Sequence, residues 1–153
     1  MERKQQKHDE RLEEYSRALT EFFDRLNSWE QSVVSDTGVS LAQMHLIEVI
    51  GNRGRMRMKE LAQLLGVTTG TLTVMVHRLA ERDYLIRLKD EQDRRSYFVD
   101  LSEKGKAEYH HHHHMHFHLV EGIVHTLGER ESEQFFAHLK KLQDALIIGV
   151  LNE

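Results

Sequence analysis

Seven histidines fall within nine positions, at His110, His111, His112, His113, His114, His116 and His118. Imidazole is a good ligand for divalent transition metals. Cysteine is absent from the chain, so a bound metal must be held by imidazole, carboxylate or water. On a helix at about 100° per residue, His110, His114 and His118 share one narrow sector. His112 and His116 lie nearly opposite, among Leu119, Ile123 and Leu127. The run therefore cannot act as one cluster. The pair with ligand geometry is His110 and His114, one turn apart on one face, as in the H-E-x-x-H helix. His111, His112, His113 and His116 are expected to be solvated or packed. A complete site needs ligands from elsewhere in the chain. Such donors point to zinc first, with nickel, cobalt and copper also compatible.

A histidine run is also the composition of a purification tag. Tags stand at termini beside Gly/Ser or protease-site linkers. This run is internal, with Glu108 and Tyr109 before it and Met115 and Phe117 within it. Apolar helical sequence follows, so the run is read as part of the fold. A zinc hydrolase would need a general base, and no glutamate stands between His110 and His114 to serve as one. The chain is therefore not expected to be an enzyme.

The elements that must position these residues are mostly helical. The 153 residues allow one domain, or a compact domain with helical extensions. No apolar run approaches the roughly 20 residues that span a bilayer. The charged N-terminal stretch has no apolar core after it, so no secretory signal is expected. Together with the lack of cysteine, this fits a cytoplasmic protein. The net charge is −4, but it is unevenly spread. From Arg53 to Lys106 there are 12 Lys/Arg and 8 Asp/Glu, whereas the remainder carries a net −8. A basic middle within acidic flanks is expected when the central module alone meets phosphate.

Leu12, Tyr15, Leu19, Phe22, Phe23, Leu26, Trp29 and Val33 recur at threes and fours, which predicts a long helix over about 2–34. Its stripe can pack on its own domain or on a second subunit. Ser35-Asp36-Thr37-Gly38 breaks the pattern, and Ser40 is positioned to cap a helix over 41–51 that carries His45. A turn over 51–55 leads to a short helix over 58–67. Thr68 can cap the next, over 69–83. "Glu-Leu-Ala-x-x-Leu-Gly-Val-Thr" followed by a helix rich in hydroxyls reads as a helix-turn-helix. Thr68, Thr69, Thr71 and Thr73 can reach base edges or phosphate, and His77 and Arg78 can add phosphate contacts.

Residues 84–88 and 96–101 alternate around a charged tip, which predicts a hairpin, and its place after a recognition helix makes it a wing. Arg94 and Arg95 suit a minor groove or the adjoining phosphates. One of them, Arg94 by preference, is expected to be held by Asp90 or Asp93. Ser102 can cap a long helix through the histidines to Leu127. Gly128 ends it, and a last helix follows over 129–151. The fold class expected is mainly α with a small β-wing: a winged helix-turn-helix domain over 39–102, with dimerisation helices over 1–34 and 103–153.

With these motifs in place, nearly the whole chain resembles the MarR family of winged helix-turn-helix regulators. The wing Asp90-Glu91-Gln92-Asp93-Arg94-Arg95 and the start Leu101-Ser102-Glu103-Lys104-Gly105 carry the likeness. The resemblance implies a homodimer on a pseudo-palindromic operator in double-stranded DNA, usually as a transcriptional repressor. The histidine run is similar to that of the zinc-responsive, adhesin competence repressor-like branch. That branch binds DNA when zinc is present and represses zinc-uptake genes. It implies metal ligands at Glu30, His45, His110 and His114. The secondary site of that branch uses a cysteine and glutamates. Here there is no cysteine, Met44 stands beside His45, and Tyr109 precedes the run. That second site does not carry over, which leaves His116 and His118 as candidates for a different one. A regulator of the same fold that senses a small organic molecule is the alternative, with Trp29, Met44 and Tyr109 lining the pocket.

Overall fold

The computed structural model describes residues 2–90 and 97–148. The chain divides into two compact units, Met1–His112 and His113–Glu153. The first holds α1 (Glu2–Val34), a short 3-10 turn (Ser35–Thr37), α2 (Leu41–Arg53), β1 (Met56–Arg57), α3 (Met58–Leu65), α4 (Thr69–Glu81), β2 (Leu85–Lys89) and β3 (Tyr97–Leu101). Helix α5 (Glu103–Leu127) begins in the first unit, and α6 (Glu129–Ile148) lies in the second. This is a winged-helix fold, mostly helical with a small antiparallel sheet and flanking helices, as the periodicity predicts.

The helix boundaries have local causes. Ser40 closes a capping box on α2: its hydroxyl accepts from Gln43 N at 3.3 Å, and Gln43 Oε1 accepts from Ser40 N at 3.0 Å. A cap of this kind contributes about 1 kcal/mol. Thr68 caps α4 by accepting from Thr71 N at 3.1 Å. Gly66, at φ 65°, makes the left-handed turn between α3 and α4 that a side chain would strain. Helix α2 runs to Arg53, two residues past the predicted helix end and into the predicted turn, and ends on Gly54 at φ 79°.

The sheet has the order β1-β3-β2, with both pairs antiparallel. Strand β1 is only two residues, Met56 and Arg57, set against Val99 and Phe98. The sequence reading missed it, because two residues show no alternation. The core sits between α2, α3, α4 and the sheet: Met44, Leu46, Ile47, Ile50, Leu61, Leu72, Val76, Leu79 and Val99 are each at most 1% exposed. Met44 therefore belongs to the winged-helix core.

In the second unit, Gly128 at φ 76° ends α5, and Ser132 Oγ donates to its carbonyl at 2.6 Å. Phe135 and Phe136 meet edge-on at 5.2 Å. Phe117, Val120, Leu139, Leu142 and Leu146 remain exposed. No described helix is long and apolar enough to cross a membrane.

Candidate nucleic-acid interface and histidine helix

Helix α4 buries Leu72, Val76 and Leu79 and turns its other side outward. Thr68, Thr69, Thr71, Thr73, His77 and Arg78 are all exposed there. The hydroxyls do different work, however. Thr68 Oγ1 holds the cap and lies 3.0 Å from Thr71 Oγ1. Thr73 Oγ1 donates back to the Thr69 carbonyl at 2.7 Å. These threonines shape the start of the helix as well as its surface. His77 Nε2 lies 3.7 Å from Glu81 Oε1. Arg94 and Arg95 lie outside the described residues.

The base of the wing is clamped by Arg57. Its Nε and Nη2 donate to Asp90 Oδ2 at 3.0 and 2.6 Å, and Asp90 is 5% exposed. Charge-assisted bonds of this kind are about twice as strong as neutral ones. The guanidinium also stands over the Phe98 ring, 5.1 Å from its centroid. The anchoring of Arg94 expected at Asp90 or Asp93 falls outside the described residues; Asp90 is held by the β1 arginine, 33 residues back along the chain.

Two close approaches fix the rotation of α5 against the winged helix. A Cβ on Gly105 would stand 2.0 Å from the Tyr84 carbonyl oxygen, so only glycine lets the first turn close on the backbone just before β2. One turn later the Tyr109 ring lies over Gly51 of α2, where a Cβ would come within 2.3 Å of it. The Tyr109 hydroxyl donates to Asn52 Oδ1 at 2.8 Å. His112 consequently faces α2. It is 4% exposed, and its Nδ1 lies 3.0 Å from Glu48 Oε1. The other oxygen of Glu48 is 3.8 Å from His45 Nδ1. One carboxylate therefore stands between an α2 imidazole and an α5 imidazole.

Of the ligands implied by resemblance, Glu30 is half-buried near the end of α1, and His45 and His110 are exposed. The His110 ring lies 5.2 Å from that of Tyr109. Among the described residues of the first unit, these three do not gather within reach of one ion. Glu48 was missed, although it lies three residues from His45 on the same helix face. In the second unit, His114 Nε2 lies 3.1 Å from His118 Nε2, and His118 Nδ1 lies 2.9 Å from Glu121 Oε2. Two nitrogens on one tetrahedral zinc are roughly 3.3 Å apart, given bonds of about 2.0–2.1 Å. The spacing of His114 and His118 thus fits two ligands of one ion. His111 and His113 are exposed and His112 is packed, as expected.

Residues 39–97 match the model of the MarR family. The HTH-type transcriptional regulator SarZ of Staphylococcus aureus is 32% identical over 62 residues, covering 40% of this chain and 42% of SarZ. The chain thus aligns with about two fifths of the length of that curated relative. Among solved structures, the transcriptional regulator Tm0710 from Thermotoga maritima is 29% identical with a TM-score of 0.64, covering 91% of this chain and 98% of that one. FabT from Streptococcus pneumoniae, solved in complex with DNA, is 29% identical with a TM-score of 0.77, covering 88% and 96%.

Proposed function

We propose that this chain, whose residues 39–97 match the MarR family model, is a DNA-binding transcriptional regulator that acts in the cytoplasm as a homodimer. The observation that carries this reading is the outward face of α4, where a capped helix start presents threonines, His77 and Arg78 with the core wholly behind it. Base and phosphate contacts from such a face are what a helix-turn-helix supplies. The wing clamped by Arg57 and Asp90 adds a second contact region.

The signal proposed is zinc, with nickel or cobalt as chemically similar ions, and the outcome is repression of metal-uptake genes. The ligands proposed are Glu30, His45, His110 and His114, from α1, α2 and α5; Glu30, His45 and His110 stand apart in this arrangement, so the ion would have to draw them together. The donors suit the ion: one carboxylate and three imidazoles. Bound zinc supplies a closed coordination shell that no hydrogen bond replaces. If the arrangement that binds DNA is the one that completes this shell, zinc raises DNA affinity and DNA raises zinc affinity by the same factor.

The test uses a duplex selected from a randomised library by the full chain, with affinity read by fluorescence anisotropy. Affinity should rise with zinc and fall with chelator. A His110→Ala/His114→Ala protein should remain dimeric and lose that response. Equal affinity in zinc and chelator overturns the metal reading and leaves a regulator that answers to a small organic ligand. Failure to select any duplex overturns the DNA-binding reading itself.

A further inference from the structure

At the middle of the outward face of α4 stands an apolar side chain. Val74 is 51% exposed, whereas Leu72 and Val76 on the same helix are completely buried. One turn before it is Gly70, on the same side of the helix. Gly70 has an ordinary helical backbone, and a Cβ there would meet only Thr68 Oγ1, at 3.8 Å. Neither a positive φ nor a crowded neighbour demands glycine. Glycine within a helix is nonetheless the costlier choice relative to alanine. Nothing within the chain requires glycine there, and the missing side chain leaves the first turn of α4 open to close approach from outside.

We infer that Val74 is a specificity-determining residue that packs against a thymine methyl group in the major groove, with Gly70 allowing the helix to approach closely enough. This rests on the DNA-binding reading above. The chemistry discriminates among bases: in the major groove the thymine C5-methyl is the apolar feature, and aliphatic side chains read it by contact. The hydroxyls around Val74 are partly committed within the helix, Thr73 to the Thr69 carbonyl and Thr71 to Thr68. Apolar contact at Val74 supplies a discrimination that those hydroxyls do not.

The test takes the duplex selected by the full wild-type chain and replaces each thymine in turn by deoxyuridine, which lacks only the methyl. One symmetric position should weaken wild-type binding by about fourfold per half-site, the factor expected for one buried methyl-sized group. Val74→Ala should bind the unmodified duplex as weakly as wild type binds the substituted one, and should ignore the substitution. Gly70→Ala should keep or raise the melting temperature while weakening binding about tenfold or more, since a merely structural glycine would move both together. Wild-type indifference to every deoxyuridine, retention of the same thymine dependence in Val74→Ala, or undiminished binding by Gly70→Ala each overturns the inference while leaving DNA binding intact. If wild type selects no duplex at all, the underlying reading fails with it.

Discussion

Glu48 Oε1 lies 3.0 Å from Nδ1 of His112, joining α2 to α5 across 64 residues of sequence. The imidazole is almost fully buried and the carboxylate about one quarter exposed. Replacing Glu48 by Ala withdraws a hydrogen bond from a buried ring. Urea denaturation should show a loss of about 1–3 kcal/mol. Glu48→Gln should cost less, because an amide can still take part in the bond. Equal stability of the Ala variant and wild type would show that the contact carries no weight.

Gly105→Ala should destabilise the first unit by about 1–3 kcal/mol or more, because the added methyl has nowhere to go but the Tyr84 carbonyl. The denaturation midpoint should shift well below that of Gly122→Ala. A Cβ on Gly122 meets nothing within 4 Å, so that substitution serves as the control for helix propensity alone.

Arg57→Ala should lower stability by about 1.5–3 kcal/mol, the range for hydrogen bonds to a charged group. It should also weaken DNA binding through a displaced wing. Arg57→Lys should not restore either property. An ammonium cannot reproduce the fork that places both Nε and Nη2 on Asp90. Full rescue by lysine would mean that charge alone matters there.

Arg78→Ala should weaken binding about equally for all duplex sequences and reduce the slope of log affinity against log salt by about 1, as expected for one lost phosphate contact. Sequence-dependent weakening with an unchanged slope would place Arg78 on a base edge instead.

Leu12, Tyr15, Leu19, Phe22 and Phe23 are each 48–59% exposed along α1. So large an apolar stripe is expected to be covered by a second copy. Leu19→Asp/Phe22→Asp should move the chain toward monomer in sedimentation. It should also cost roughly tenfold or more in DNA affinity, as avidity is lost. A double variant that stays dimeric would move the interface elsewhere.

Much of this architecture is legible without coordinates, for physical reasons that differ from place to place. Ser40, Gly66 and Thr68 are local signals, and each acts within about four residues of itself. The alternation along β3, where Val99 and Leu101 are buried, reports a sheet with one covered face, whereas β2 does not alternate: Tyr84 and Leu85 are both buried and Ile86 is exposed. Placing His112 on the packed side of α5 follows from helix periodicity alone. Long-range partners are a different matter. Nothing in the order of residues tells Asp90 to choose Arg57 in a two-residue strand, or His112 to choose Glu48. The rotation of α5 is set by Tyr84 and Gly51, whose demand for glycine at one place and an aromatic ring at another appears only when the backbones meet.

Arg82, one residue past α4, donates from both Nη atoms to the carbonyls of Gly38 and Thr37, at the foot of α1. Tyr84 lies under the same guanidinium and points its hydroxyl toward Thr37. Helix α4 is thereby bolted to the foot of a 33-residue helix. Such a rod is about 50 Å long, so a pivot of 5° at its foot swings the far tip by roughly 4 Å. Leverage of that size magnifies any tilt at the junction with α4 along the whole length of α1.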